Sequence, residues 1–288
     1  MKLKINCVAR LLLMILAVFS FFTLGRAAGE KIGVLVVAHG SDEIRWNQVV
    51  QQGVAAVRLP YPIAVGYLEF TEPDIQKAVT KLESQGVSRI IAVPLFVSTY
   101  SNHIEEIKYI LRLRDTLPQS EGATGETLRQ VQCHSQISLT AALDDHPIVA
   151  KILAERLQRI SSDPGHEVAV LVGHGADTEA GATKWQAQFD SLAQQVKKSL
   201  KLKAAYYGFA AMGKPTVRQT VTAAGSEGEV LLIPVMLSEG FFTDQKIPRD
   251  LEGLRYRYPQ PGERALLPHA DLARFIEMRV KETVNQQK

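Results

Sequence analysis

Cysteine is nearly absent from this chain: 288 residues carry two, Cys7 and Cys133. Cys7 precedes the one long apolar run rather than following it, which excludes a lipid-attachment cysteine. Loss of an N-terminal segment would leave Cys133 alone, and that excludes an intrachain disulfide. A strong excess of charge of either sign is also missing. The 33 cationic and 30 acidic side chains give +3, and four of the cations, Lys2, Lys4, Arg10 and Arg26, fall within the first 27 residues, which hold no acid. The remainder therefore sits at −1, which argues against a nucleic-acid partner recognised through bulk charge. No Walker-type glycine loop is present, so ATP-driven chemistry is not expected. No apolar run reaches the ~20 residues of a membrane-spanning helix.

What is present at the N-terminus is a targeting pattern. Lys2, Lys4 and Arg10 form a basic opening, and Leu11 to Leu24 form an apolar-rich stretch of h-region length. Gly25 and Ala27 place small residues at −3 and −1 to a cut after Ala27, whereas a cut after Ala28 would put Arg26 at −3. Residues 1–27 are thus expected to be a cleaved signal peptide, and the mature protein to be periplasmic or secreted.

Beyond it the chain repeats itself. Ile32–Gly40 reads IGVLVVAHG and Val168–Gly175 reads VAVLVGHG. Each is a β-branched apolar run ending abruptly at His-Gly, the pattern of a parallel strand buried on both faces. A helix pattern follows each: Ser41 is a candidate cap for the first, with Asp42 and Glu43 in its opening turn and Trp46, Val49, Val50, Val54 and Val57 on one side. The second carries Trp185, Phe189, Leu192 and Val196. Trp46 follows its His by seven residues and Trp185 by eleven, which implies about one extra helical turn in the second half. PIAVGYLEF (62–70) matches KAAYYGF (203–209), with Pro-initiated helices at Pro73 and Pro215. RIIAVPLFV (89–97) matches EVLLIPVML (229–237), with Pro94 opposite Pro234. A fourth strand is expected near Leu128–His134, then a helix from Pro147 to Ile160; their counterparts are Arg264–Pro268 and Ala270–Val284. Strands alternating with helices indicate an α/β fold of parallel sheets flanked by helices. SSDPG at Ser161–Gly165 separates an N-terminal lobe, 28–160, from a C-terminal lobe, 166–288.

Ligands of open α/β sheets bind beyond the carboxyl ends of the strands. His39 ends the first strand, Glu69 the second, and His103 follows the third. Two imidazoles and a carboxylate at one edge suit a divalent metal, and the same groups accept protons near neutral pH. The second half keeps only His174: with Pro94 set against Pro234, Thr243 stands opposite His103, and Gly208 meets Glu69. One complete site, in the first half, is therefore expected. Cys133 and His134 are adjacent strand-type residues facing opposite ways, so joint ligation is not expected.

VVAHGSD, YLEFTEPDIQKAV and VPLFVSTYSNHIEEI, taken together, resemble the three motif blocks of the class II tetrapyrrole chelatases, the CbiX-like sirohydrochlorin cobaltochelatases and ferrochelatases. The third block is the most specific. The resemblance covers residues 32–110 and extends more faintly over 168–284, as in the family's long, two-half form. It implies a two-lobed α/β architecture with the tetrapyrrole in the cleft between lobes. It further implies that His39 and His103 bind the incoming metal and help remove pyrrole protons, with Glu69 assisting. The substrates would be a sirohydrochlorin-type tetrapyrrole and Co²⁺, Fe²⁺ or Ni²⁺, with no prosthetic group. Met236 and Phe241–Phe242 are candidate macrocycle contacts, His174 a candidate second-lobe contact, and Arg45, Lys108, Lys246 and Arg249 candidate rim cations. The export signal raises a second reading, a metal or haem carrier using the same histidines without catalysis.

Overall fold

The computed structural model describes residues 30–116, 128–176 and 178–286. The expected signal peptide, residues 1–27, and residues 118–125, whose Gly- and Ser-containing polar composition reads as a loop, lie outside the described residues. Residues Ile32–Lys288 form a single contact unit containing two parallel sheets. In the first, β1 (Ile32–Ala38), β2 (Ile63–Tyr67), β3 (Arg89–Pro94) and β4 (Gln136–Leu139) run in the order β2-β1-β3-β4. In the second, β5 (Glu167–Gly173), β6 (Ala204–Phe209) and β7 (Glu229–Pro234) run in the order β6-β5-β7. The helices are α1 (Ile44–Ala55), α2 (Ile75–Ser84), α3 (Asn102–Ile110), α4 (Pro147–Gln158), α5 (Glu179–Leu200), α6 (Val217–Gly225), α7 (Ile247–Asp250) and α8 (Ala270–Asn285). Among the described residues no helix is long and apolar enough to cross a membrane.

The duplication is visible in strand register. Val37 pairs with Pro94 and Val172 with Pro234, while Ala38 pairs with Tyr67 and Gly173 with Phe209. Each central strand is buried on both faces, and alternate residues go to different cores. Val34, Val36 and Ala38 of β1 and Ala169 and Leu171 of β5 share one central core. Leu35 and Val37 face outward onto α2 and α3, and Val168, Val170 and Val172 onto α6 and α7.

The central core also contains residues of α1, α4, α5 and α8. Here the chain division between the sheets, at 161–165, does not divide the helices. α4, from the first half, packs on α5 and β7 of the second; α8, from the second half, packs on α1 and β3 of the first. Polar ties reinforce the exchange. Lys151 Nζ on α4 lies 2.5 Å from Asp271 Oδ2 on α8, Gln188 Nε2 donates to the Val97 carbonyl at 2.7 Å, and Arg58 N–H donates to Glu277 at 2.6 Å.

Several local expectations are corrected. β4 is at Gln136–Leu139, because the backbone near Leu128–His134 is committed elsewhere: Val131 N–H donates to Ile110 O, and the His134 N–H donates to the Glu83 carboxylate. Arg264–Pro268 forms no strand; Leu266 and Leu267 N–H donate to Met236 O and Leu237 O, past the end of β7. Pro73 and Pro215 each precede the actual caps, Asp74 and Thr216, whose side chains accept from Lys77 N and Gln219 N. Ser41 does not cap α1. Its hydroxyl accepts from Glu43 N–H inside the loop, Glu43 is the cap position, and no acid lies in the first turn. The second half does carry extra helix: α1 and α5 start at the same offset from their His residues, but α5 runs 22 residues against 12.

Candidate functional site

The recurrence of His-Gly has a local cause. Gly40 and Gly175 adopt φ of +90° and +97°, and a Cβ on either would collide with the carbonyl oxygen of Glu69 or Met212. Glycine alone allows the loop after β2 to lie directly against the end of β1. That approach lets Glu69 N–H donate to His39 O at 2.9 Å, and the equivalent Ala211 N–H to His174 O at 3.2 Å. Glu69 is thereby fixed beside His39. His103 arrives from the third strand, in the first turn of α3.

These three side chains meet. The His39 and His103 ring centroids are 4.7 Å apart with planes at 78°, and one ligand atom from each of His39, Glu69 and His103 lies within 4.8 Å of the others. His39 Nδ1 is 2.9 Å from Gly40 O; a carbonyl only accepts, so Nδ1 carries the proton and Nε2 is left for a ligand. His103 Nδ1 is 2.8 Å from Glu106 Oε2, and the carboxylate fixes the same tautomer. Burial holds the His39 pKa below its ordinary 6.5, opposed by its bond to Gly40 O, with nearby His103 pushing the same way as burial. The neutral imidazole, the metal-binding form, is therefore favoured.

His39 and His103 line a cleft of about 500 Å³ bounded by both lobes, and Glu69 stands beside them in the ligand cluster. Phe70 and Phe96 flank His39, with ring centroids 5.7 and 6.4 Å from it. The opposite wall carries His174, Trp185, Met212, Met236, Phe241 and Phe242. His174 thus lines the same cleft, edge-on to Phe242 at 4.9 Å, but outside the His39–Glu69–His103 cluster. Met236, Phe241 and Phe242, the candidate macrocycle contacts, line the cleft. Among the described residues no Lys or Arg lines the cleft itself. Lys108 pairs with Glu105, Lys246 with Asp250, and Arg45 with Glu239 across the lobes at 3.7 Å.

The second lobe lacks the other two groups. Thr243 does stand opposite His103, buried, with its hydroxyl donating to Gly240 O. The counterpart of Glu69, however, is Ala211 and not Gly208, because Tyr67 and Phe209 occupy equivalent register positions. Sequence reasoning missed Glu106, although a carboxylate three residues after a helical His is a readable signal. It also missed Phe70 and Phe96, which have no periodic signature.

A second group of potential ligands, Glu155, His269 and Asp271, is a structural knot. The Lys151 ammonium lies between Asp271 and Glu155, and His269 Nδ1 accepts from Asp271 N–H to cap α8, as His146 caps α4 by accepting from Ile148 N–H. Cys133 and His134 belong to neither ligand group found among the described residues.

Comparison with known proteins matches this arrangement. The CbiX family model covers residues 33–160 and again 168–283. The chain belongs to the CbiX family. Its double match agrees with the duplicated register. A curated relative, the sirohydrochlorin cobaltochelatase of Methanothermobacter thermautotrophicus, is 29% identical over 138 residues, spanning 44% of this chain and 92% of its own length. SirB from Bacillus subtilis, solved with Fe³⁺, superposes with a TM-score of 0.68 at 18% identity, over 88% of this chain and 95% of SirB. CbiX, the terminal enzyme for siroheme biosynthesis in denitrifying bacteria, superposes with a TM-score of 0.57 at 16% identity, over 87% of this chain and 98% of CbiX. At these identities the structural likeness speaks for the fold.

Proposed function

We propose that this CbiX-family protein is a metal chelatase that inserts Co²⁺, Fe²⁺ or Ni²⁺ into a sirohydrochlorin-type tetrapyrrole without nucleotide hydrolysis. The observation carrying this reading is the convergence of His39, Glu69 and His103, with both histidines lining an interlobe cleft that also presents Phe70, Phe96, Met212 and Met236. Insertion breaks two pyrrole N–H bonds, releases two protons and makes four metal–nitrogen bonds. The Nε2 atoms of His39 and His103 hold the incoming ion, a borderline-soft donor pair suited to all three metals. Glu69, within reach of both, takes a pyrrole proton, and each imidazole becomes available as a base once its metal has left. Two imidazole ligands in an open cleft can release the ion, as transfer requires, whereas a closed four-ligand cage would retain it.

We further propose that residues 1–27 direct export and that the mature chain, starting at Ala28, acts outside the cytoplasm. Export favours one alternative, a carrier that binds metal or haem through the same histidines. One assay separates them. The purified protein should accelerate the absorbance change of metal entry into sirohydrochlorin, and His103→Ala should abolish it; stoichiometric metal binding with no acceleration for any of the three ions would leave the carrier.

A further inference from the structure

Of the seven large apolar side chains exposed among the described residues, Phe70, Met212 and Phe241 line this one cleft. Phe70 is the most unusual of them. It is 62% exposed, and its φ of 63° puts a bulky side chain in the left-handed region, where L-residues other than glycine, asparagine and aspartate are rarely found. Neither the exposure nor the backbone strain is offset by packing in the core, which is the signature of a residue kept for what it contacts.

The duplicated register gives Phe70 a partner. Phe70 is three residues beyond Tyr67, and Met212 three beyond Phe209, which occupy equivalent pairing positions on β2 and β6. In the same way Phe96 and Met236 each follow by two residues the prolines that end β3 and β7, Pro94 and Pro234. The two lobes therefore present the same two positions to one cleft, aromatic on the lobe with the metal ligands and thioether on the other. The second lobe has lost the equivalents of Glu69 and His103 while keeping large apolar side chains at both flanking positions.

We infer that Phe70 and Met212 are a matched pair of jaws that grip opposite faces of a flat, conjugated macrocycle, the first-lobe jaw on the face the metal enters and the second-lobe jaw on the blind face. The inference rests on the chelatase reading and adds to it the residues that hold and orient the tetrapyrrole. The occupant follows from the surroundings. Ring faces and thioethers favour a polarizable flat surface, and the Phe70 ring lies 5.7 Å from that of His39, so a macrocycle packed on Phe70 is held beside the imidazole. Phe70 and Met212 are binding and orienting residues, and take no proton or metal.

The test is a titration of the purified protein with metal-free sirohydrochlorin, read by macrocycle absorbance and fluorescence, beside a thermal melt. Phe70→Gly and Met212→Ala should each raise the macrocycle Kd about tenfold, the loss of one stacking contact. Phe70→Gly should leave Tm unchanged or raised, since glycine accepts that φ without strain. Binding by either variant within twofold of the wild type, while the wild type still inserts metal, overturns the jaws and leaves the chelatase standing. A wild type that neither binds the macrocycle nor inserts metal overturns both. Unchanged macrocycle binding with loss of co-sedimentation on phosphatidylglycerol vesicles would assign the exposed side chains to a membrane surface and overturn the inference.

Discussion

His103 and Glu106 are joined through Nδ1 and Oε2 at 2.8 Å, one helical turn apart on α3, with the carboxylate buried beneath the imidazole. The bond engages Nδ1, leaves Nε2 for a ligand and raises its basicity. Glu106→Ala should weaken Co²⁺ binding about 10–100-fold, the usual effect of losing a carboxylate behind a metal-binding His. Glu106→Gln, which can still accept from Nδ1–H, should recover part of it. Cobalt titration followed by ligand-field absorption measures both, and equal affinities for all three proteins would contradict the positioning role.

Glu69 differs from the histidines in what its loss should do. Assigned as a proton acceptor, it contributes to the barrier more than to ion affinity. Glu69→Gln should lower kcat for metal insertion by about 10²-fold or more while leaving the metal Kd little changed. A loss confined to metal affinity would make Glu69 a ligand only.

Much of this was legible in the sequence, for identifiable reasons. Parallel strands buried on both faces leave continuous β-branched runs, and the close approach of two loops demands glycine, so IGVLVVAHG and VAVLVGHG mark β1 and β5 and their His-Gly ends. Positions after those strands then bring His39, Glu69 and His103 to one edge. β4 was misplaced because an edge strand of four residues has little pattern of its own, and the preceding segment is held by Glu83 and Ile110 rather than by the sheet. The exchange of α4 and α8 between halves leaves no local mark, since an apolar helix face does not encode which sheet it covers. Phe70 was invisible for a related reason: a strained, exposed aromatic in a turn fits no periodicity.

The pH dependence of stability follows from His39. Burial lowers its pKa in the folded protein, and burial, aided by Arg279, does the same to His146. The unfolded chain therefore takes up protons first as pH falls through 6.5, and the folded state loses stability from there down to the depressed folded pKa values. Thermal melts between pH 7 and 5 should show a falling Tm that His39→Asn makes shallower. An unchanged slope in the variant would contradict the burial of the neutral ring.

Asp271 ties the exchanged helices together. Its carboxylate pKa is lowered despite burial, which alone would raise it, because Lys151 and Arg274 bond to the charged form. A depressed carboxylate stabilises the fold above its unfolded pKa, and this contribution disappears as pH falls through the lower folded value. Asp271→Ala also leaves the N-terminal turn of α8 without its acid, and should lower stability by about 2 kcal/mol, a fall in Tm of roughly 4–8 °C. A change below 1 °C would show that the interlobe packing does not depend on this knot.

The central claim is that His39, Glu69 and His103 form one working insertion site in the first lobe and that His174 does not duplicate it. The most direct measurement is the rate of Co²⁺ entry into sirohydrochlorin, read by macrocycle absorbance, for the wild type, His39→Ala, His103→Ala and His174→Ala side by side. The account predicts acceleration by the wild type, its loss in the two first-lobe variants, and insertion within about tenfold of wild type for His174→Ala. Full activity in either first-lobe variant, or no acceleration by the wild type, would contradict it.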